Sequence, residues 1–270
     1  MKNAFWVVIV LVVLVACTRE GSPLFLRRKL SLVLFVPENS PATRAVIPDE
    51  TLITDCNILV YNSYGDLEER VFVPSRSLQL RDGCFNYDVQ LLQDVPYTVV
   101  CAFNLGYALP AMTLEEARAY RFHLAYPDEF SRGLPMVAVR ETVVPGDTLR
   151  LQAKRLMARL DLDIRTAGVP EDVLLKLTDV EVLGCPSSAT LFPGSHARDT
   201  FSRGVVRPYT DAPMSLYVLE NLGEGMSLDI RAEYQGPDLH TDPGGRIHYR
   251  ASLPPLERNC VYPITIKVTP

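Results

Sequence analysis

An alternation of apolar and polar residues with a period of two dominates the chain beyond residue 24. From Phe85 to Leu91 the odd positions are apolar, and from Met226 to Tyr234 the even positions are apolar. This period is typical of strands that bury one face. Shorter apolar runs bounded by Gly, Pro, Asn or Asp predict further strands at Leu30–Val36, Ile58–Tyr61, Tyr97–Phe103, Leu160–Ile164, Leu216–Leu219 and Tyr262–Val268. Many short strands with polar turns predict an all-β protein built as an antiparallel β-sandwich.

One segment, Leu114–Leu124, predicts an α-helix. Thr113 and Glu116 have the spacing of a capping box, in which each side chain accepts a hydrogen bond from the other residue's backbone N–H. The apolar residues that follow recur on one face of a helix. We therefore expect one short helix in an otherwise β-structured chain.

A shift in the alternation predicts the domain boundary. Leu149 and Leu151 place apolar residues at odd positions, whereas from Leu156 to Ile164 the even positions are apolar. A slip of one residue turns every side chain to the opposite face, so the strand must bulge or pass between two cores. The sequence thus predicts two domains, at residues 17–152 and 153–270.

The first residues have the pattern of an export signal. Lys2 precedes an uncharged apolar run, Phe5–Ala16, which is 12 residues long. A membrane-spanning helix needs about 20 apolar residues, whereas the apolar core of a signal peptide has about 7–15. The run is therefore too short for a permanent membrane anchor and has the length of a cleaved signal.

This run ends in Leu14-Val15-Ala16-Cys17, which resembles the lipobox of bacterial lipoproteins. The resemblance implies a signal peptide at residues 1–16, cleaved before Cys17, and a diacylglycerol and palmitate-type acyl chains on Cys17. Thr18 stands where many inner-membrane lipoproteins have Asp, which favours the cell outer membrane. The alternative is a simple secretory signal that ends near a cysteine.

The composition narrows the classes of function. The chain is 47% hydrophobic and 22% charged, which excludes a disordered protein. Its 27 Lys and Arg against 32 Asp and Glu give a net charge of −5, without the basic footprint of a nucleic-acid binder. We therefore expect no nucleic-acid partner.

The cysteines do not indicate a metal site or a disulfide framework. Beyond Cys17 there are five others, an odd number that cannot pair fully within one chain, and no C-x-x-C spacing occurs. A single disulfide remains open. The five are Cys56, Cys84, Cys101, Cys185 and Cys260.

Two groups of polar residues could carry chemistry, and both have a simpler interpretation. His240 and His248 lie near a Gly-rich turn, where we interpret them as surface histidines of a hairpin. Asp161 and Asp163 share a face of a strand, which we interpret as its solvated side. No phosphate-binding loop, dinucleotide fingerprint or H-E-x-x-H motif occurs. We expect no catalytic residue, metal or cofactor, and no enzyme activity.

A series of short motifs follows Cys17 in order along the chain. The motifs are Leu30–Val36, Thr43-Arg44, Ile58-Leu59-Val60-Tyr61-Asn62, Tyr97–Asn104, Leu134-Pro135-Met136, Arg155–Leu160, Leu219–Leu222 and Arg258–Tyr262. Together they resemble the fimbrial anchoring-subunit family of Bacteroidales, in the fimbrillin superfamily of type V pili. The resemblance implies two tandem transthyretin-like β-sandwich domains with one short helix. It also implies an outer-membrane lipoprotein at the base of a fimbrium, with fimbrillin-type subunits as partners through β-strand exchange.

The resemblance gives Arg44 a candidate role. Polymerising members of the superfamily are cut by an arginine-specific protease after their first strand, whereas anchor members keep that strand. Here Leu30–Val36 is such a first strand, and Arg44 lies in the polar loop that follows. The alternative is an ordinary exposed arginine.

The last predicted strand is a candidate donor strand for a neighbouring subunit. Its apolar positions share one face, and they are Tyr262, Ile264, Ile266 and Val268. Pro263 lacks an N–H, which suits an edge strand, and a terminal strand can leave its sheet without unfolding a connection beyond it. The alternative is that the strand completes its own sandwich.

A second class of function is a surface lipoprotein that binds a glycan or a host protein. Sugars are commonly stacked on Trp or Tyr, and the chain has 12 Tyr. Its one Trp is Trp6, inside the signal peptide. The absence of Trp from the mature sequence favours the fimbrial interpretation.

We predict that Cys17→Ala releases a folded, soluble protein into the periplasm, because several acyl chains on one residue are what make lipid anchoring stable. Membrane fractionation with salt and carbonate washes measures this. A Cys17→Ala protein that still sediments with outer membranes would show that the anchor lies elsewhere.

Overall fold

The computed structural model describes residues 26–36, 50–146, 148–236 and 245–270. These residues form eighteen strands, a short 3₁₀ helix at Ser75–Ser77 and one α-helix, α1 (Leu114–Ala119). The strands are β1 (Arg27–Phe35), β2 (Cys56–Tyr61), β3 (Leu67–Val73), β4 (Leu80–Arg81), β5 (Cys84–Leu92), β6 (Tyr97–Phe103), β7 (Arg121–His123), β8 (Met136–Val143), β9 (Thr148–Gln152), β10 (Lys154–Arg155), β11 (Met157–Thr166), β12 (Leu174–Leu183), β13 (Ser188–Thr190), β14 (Val205–Pro208), β15 (Met214–Leu219), β16 (Ser227–Gln235), β17 (Arg246–Ser252) and β18 (Val261–Val268). The nearly all-β content confirms the predicted fold class.

The strands assemble into two pairs of sheets. The N-terminal sheet pair consists of β4-β5-β1-β9 and β10-β8-β6-β2-β3. The C-terminal sheet pair consists of β15-β11-β18 and β14-β12-β16-β17, and a small sheet joins β13 to β7. The prediction of purely antiparallel sheets was wrong at two places in the described chain, because β1 runs parallel to β9 and β11 parallel to β18.

Each sheet pair encloses a hydrophobic cluster, which confirms the sandwich architecture. Leu32 of β1 and Phe103 of β6 are fully buried between the N-terminal sheets. Leu160 of β11 and Val180 of β12 are fully buried between the C-terminal sheets. A further cluster packs α1 and the loops around it against the outer face of β2 and β6, and it includes residues of β13 and β15.

Residues 148–166, comprising β9, β10 and β11, form what we call the crossing strand. Leu151 is buried in the N-terminal cluster, Leu156 in the cluster under α1, and Leu160 in the C-terminal cluster. The chain therefore passes from core to core where the alternation slips by one residue, as the sequence predicts.

The predicted helix is shorter than expected. The capping box of Thr113 and Glu116 is present, but α1 ends at Ala119 and Tyr120 is extended, with φ −62° and ψ 131°. Residues Arg121–His123 instead form β7, which pairs with β13. Pairing with a strand far along the chain thus overrides a helical periodicity that the local sequence satisfies.

The cysteines of the described chain are all free thiols, so the disulfide that the sequence left open does not form among them. Burial raises the pKa of the Cys185 thiol to about 11, which disfavours the reactive thiolate. No helix among the residues described is long and apolar enough to cross a membrane. Cys17, Arg44 and His240 lie outside the described residues.

Candidate functional site

The first strand, β1, lies in the middle of its sheet. It pairs antiparallel with β5 along its whole length and parallel with β9. Leu30, Leu32 and Leu34 of β1 are at most 1% exposed and face the N-terminal core. Backbone pairing on both sides and a buried apolar face fix β1 in a slot between β5 and β9.

The last strand, β18, forms an edge of the C-terminal sheet pair. Its only neighbour among the described strands is β11, with the parallel register Arg159↔Val261 to Thr166↔Val268. The sequence-predicted donor residues do share a face, which packs against the C-terminal cluster. Tyr262, Ile264 and Ile266 are half-buried, and Val268 is 1% exposed. In this chain, β18 therefore completes its own sheet while its other edge has no paired strand among the residues described.

Strands β1 and β18 both pair with the crossing strand along the same edge. Ala153 donates its backbone N–H to Phe35 at the end of β1, at 2.9 Å, and Arg159 donates to Cys260 just before β18, at 2.9 Å. N–H groups an even number of residues apart point to the same side of an extended chain. Strands β1 and β18 therefore follow one another along one edge of the crossing strand, whereas β8 and β15 pair with it on the other side.

Buried charged residues meet at the junction between β1 and β18. We call Glu50, Arg155, Arg159, Tyr217 and Asn259 the junction cluster. Glu50 forms ion pairs with Arg155 at 3.1 Å and with Arg159 at 2.9 Å, and it accepts a hydrogen bond from the Tyr217 hydroxyl. Asn259 accepts the backbone N–H of Arg155 at 3.2 Å. The cluster thus ties the segment before β2 to the crossing strand, β15 and the start of β18.

The electrostatics of the junction cluster favour the ionised carboxylate. The side chains of Arg155, Arg159 and Glu50 are 3%, 8% and 12% exposed. Burial alone would raise the pKa of Glu50, but the hydrogen bonds from Tyr217 and Arg159 and the two guanidinium charges lower it below its usual value. Burial lowers the pKa of Arg155. The side chain remains a cation, because the ordinary pKa of arginine is far above neutral pH.

Both ends of the segment that contains Arg44 are attached to the crossing strand. Before the segment, the Phe35 carbonyl accepts the N–H of Ala153 at 2.9 Å. After it, the Glu50 carbonyl accepts a hydrogen bond from the Arg155 guanidinium at 3.0 Å. The described residues on either side of this segment, Phe35 and Glu50, therefore both lie at the junction.

The other polar residues singled out in the sequence form ordinary structural pairs. Asp161 binds Arg159 at 3.0 Å and Asp163 binds Arg165 at 2.6 Å, both along the crossing strand. His248 contacts Asp229 at 3.0 Å on the outer face of β16 and β17. Within the described ranges, no group of His, Cys, Asp and Glu is placed to hold a metal ion.

The sequence did not single out Glu50 or Tyr217. Glu50 lies outside every predicted strand, and Tyr217 lies in the predicted strand Leu216–Leu219, where no local pattern gives it a charged partner. The partners of Glu50 are 105 to 167 residues away. Arg155 and Arg159 belong to the Arg155–Leu160 motif, but an arginine is ordinarily exposed unless it is paired. Only a contact between distant segments identifies this cluster.

Solved protein structures resemble this fold along most of its length. A candidate cell adhesion protein from Parabacteroides distasonis matches with a TM-score of 0.64 and 15% identity, over 90% of this chain and 88% of that one. The fimbrilin FimA from Porphyromonas gingivalis matches with a TM-score of 0.57 and 15% identity, over 90% and 98%. The fimbrial anchor protein Mfa2 from the same species matches with a TM-score of 0.51 and 14% identity, over 90% and 91%. The chain has the fold of Bacteroidales fimbrial proteins.

The fimbrial-protein fold confirms, at the level of architecture, the resemblance carried by the short sequence motifs. No family model matches the chain, and no curated protein matches it in sequence. The matched structures are fimbrial and adhesion proteins rather than enzymes. Within the fimbrial-protein fold, the crossing strand with β1, β18 and the junction cluster is the candidate functional site.

We predict that Glu50→Gln lowers the free energy of unfolding by about 3 kcal/mol, because removing one partner leaves buried charge uncompensated. The value lies at the lower end of the usual range, since Asp161 still pairs with Arg159. Urea unfolding at neutral pH measures it. The control is Glu141→Gln, whose ion pair with Arg118 is 55% exposed on the Glu141 side and should change stability by about 1 kcal/mol or less. Equal effects of the two substitutions would contradict the prediction.

The wild type and the Glu50→Gln variant should also differ in how their stability depends on pH. Because the pKa of Glu50 is lowered by folding, its contribution to stability is complete above the ordinary glutamate pKa and is lost as the pH falls through the lower folded value. The stability difference between the wild type and Glu50→Gln should therefore shrink on acidification. A difference that stays constant from neutral to acid pH would show that the Glu50 charge is not responsible.

Proposed function

We propose that this protein is an outer-membrane lipoprotein that serves as an anchor or accessory subunit of surface fimbriae. The observation that carries the proposal is the fold, which it shares with a fimbrilin and a fimbrial anchor protein over about nine-tenths of the chain. The end-to-end placement of β1 and β18 supports it further. In this proposal, the protein belongs to the fimbrillin superfamily, and its partners are fimbrillin-type subunits.

The membrane attachment in this proposal is lipid on Cys17. The signal peptide at residues 1–16 and the lipobox-like Leu14-Val15-Ala16-Cys17 are its basis. The chain from Cys17 to the start of β1 at Arg27 then acts as a short tether to the outer membrane. Because β1 is the part nearest the lipid, an anchor must keep β1 attached to its body.

We also propose that residues 17–152 and 153–270 are two tandem transthyretin-like domains. The separate hydrophobic clusters of the N-terminal and C-terminal sheet pairs support this division. In the N-terminal sheet pair the first strand, β1, runs parallel to β9, which is followed only by the two-residue β10. In the C-terminal sheet pair the first strand, β11, runs parallel to the last, β18. This common topology is what two copies of one domain type would produce.

Contact with the fimbria in this proposal is made by exchange of β18. An edge strand that leaves β11 and pairs with a neighbour's sheet exchanges one set of backbone hydrogen bonds and apolar contacts for an equivalent set. Tyr262, Ile264 and Ile266 are only half-buried. The free-energy cost of removing β18 from its sheet is therefore lower than it would be for a strand with a fully buried face, such as β1. Strand β18 is therefore the more readily exchanged of the two.

The proposal predicts that the mature protein remains one chain from Cys17 to Pro270, because a cut at Arg44 would leave only the noncovalent pairing of β1 between the body and its lipid. Intact-mass analysis of protein taken from outer membranes measures this. A new N-terminus at Ala45 would instead identify a polymerising subunit, whose β1 is removed. Arg44→Gln is the matched variant, and it should have the same membrane yield as the wild type.

The exchange of β18 predicts that locking this strand blocks binding to fimbriae. Asp163 and Thr265 are register partners on β11 and β18, so Asp163→Cys with Thr265→Cys places two thiols for a disulfide between these strands. Cys260→Ser removes the exposed thiol beside them. The oxidised protein should not co-purify with fimbrial subunits, and reduction should restore co-purification. Each single Cys variant is the control. Undiminished co-purification of the fully oxidised protein would contradict the exchange of β18.

A further inference from the structure

A cavity of about 150 Å³ lies among three loops of the N-terminal half, outside the candidate assembly site. Its lining comes from the loop after β6, from β7 with the residues that follow it, and from the loop before β8, and consists of Asn104, Leu105, Tyr107, Phe122, His123, Leu124, Ala125, Glu129, Arg132 and Pro135. Three sequence segments thus converge on one small opening that the proposed strand exchange does not use.

One wall of the cavity is held rigidly. The Asn104 side chain accepts hydrogen bonds from the backbone and hydroxyl of Thr54, at 2.8 and 3.2 Å. Its amide group donates to the carbonyls of Leu52 and Leu134, at 2.8 and 2.7 Å. Asn104 has a positive φ of 60°, which these four bonds stabilise. A wall fixed before binding loses little entropy when a ligand arrives.

A cationic group is placed against this wall. The Asp55 carboxylate accepts the N–H groups of Leu105 and Gly106, at 3.1 and 2.9 Å, and so fixes the turn. The Arg132 guanidinium packs on Gly106, where an added Cβ would lie 1.7 Å from Arg132 Nη1. Gly106 therefore makes the room for this guanidinium. Among the described residues, the Arg132 side chain forms no hydrogen bond or close ion pair, although its charge interacts with the Asp55 carboxylate. Its N–H donors remain available to a ligand.

An anionic acceptor and aromatic surface line the same cavity. Glu129 uses one carboxylate oxygen to accept the N–H of Ala125 at 2.7 Å, and its second oxygen has no hydrogen-bond partner among the described residues. No ion pair joins Glu129 to Arg132 within the described chain. Tyr107, which is 37% exposed, and His123 also line the cavity. The cavity thus presents donors, an acceptor and an aromatic ring.

From this arrangement we infer a binding site for one neutral sugar ring. With one anionic and one cationic group in its lining, the cavity has no net preference for an anion or a cation, and hydroxyl groups can both donate to the carboxylate and accept from the guanidinium. The cavity, at about 150 Å³, limits the occupant to a single ring at most, since pockets for drug-sized ligands have volumes of about 300–1,000 Å³. Tyr107 supplies apolar surface for the C–H face of a pyranose. The inference is independent of the anchor function and would give the subunit a glycan contact of its own.

Ligand-observed NMR on the mature full-length protein tests the site, with methyl glycosides of glucose, galactose, mannose and N-acetylglucosamine as probes. We expect at least one of these to bind. Arg132→Gln and Glu129→Gln should each weaken that binding about tenfold or more, because each removes a hydrogen bond to a charged group. Arg81→Gln and Glu141→Gln, which alter exposed residues away from the cavity, are matched controls and should leave affinity unchanged. Circular dichroism and thermal unfolding check that every variant is folded.

Three results would overturn the inference. The first is that none of the four glycosides binds. The second is that a glycoside binds with equal affinity to the wild type and to both folded cavity variants, which would place binding elsewhere. The third is that glucuronate binds in preference to neutral sugars, which would contradict the role of Glu129. None of these results bears on Cys17 or β18, so failure here is distinguishable from failure of the anchor proposal.

Discussion

The crossing strand is the element that joins the N-terminal and C-terminal sheet pairs. A single extended segment, residues 148–166, contributes buried side chains to three hydrophobic clusters in turn. It does so because its side-chain alternation slips by one residue, which turns its apolar face from one core to the next. Its edges then decide the positions of the neighbouring strands, with β1 and β18 on one side and β8 and β15 on the other.

The junction cluster occupies the place where the crossing strand changes cores. An apolar core is interrupted there, and Glu50 with two arginines fills the space instead. Desolvation makes buried ion pairs weak contributors to net stability, so their effect is mainly on geometry. The guanidinium groups offer donors in fixed directions, and they hold Glu50 and the segment before it against the crossing strand.

The proposed assembly and the proposed sugar binding use different parts of this architecture. The proposed strand exchange draws on backbone pairing at a sheet edge. Among the described strands, β18 has an unpaired side, whereas β1 is paired on both sides. The proposed sugar site draws on loops, which a rigid scaffold can vary without disturbing its sheets. The shared fold of adhesion and fimbrial proteins fits this separation, because function on a common fold resides in edges and loops.

The sequence by itself determined the elements whose signals are local. The alternating runs placed β5 and β16, the capping box placed the start of α1, and the slip near residue 155 showed that one strand serves more than one core. Each of these is a matter of side-chain spacing along a few residues. The end of α1, the parallel pairing of β1 with β9 and of β18 with β11, the junction cluster and the cavity beside Arg132 were decided by the tertiary structure alone. Each of these features depends on contacts between residues that are far apart in the sequence. Strand β13 lies about 70 residues after β7, and Tyr217 lies 167 residues after Glu50, so no local pattern could indicate that they meet.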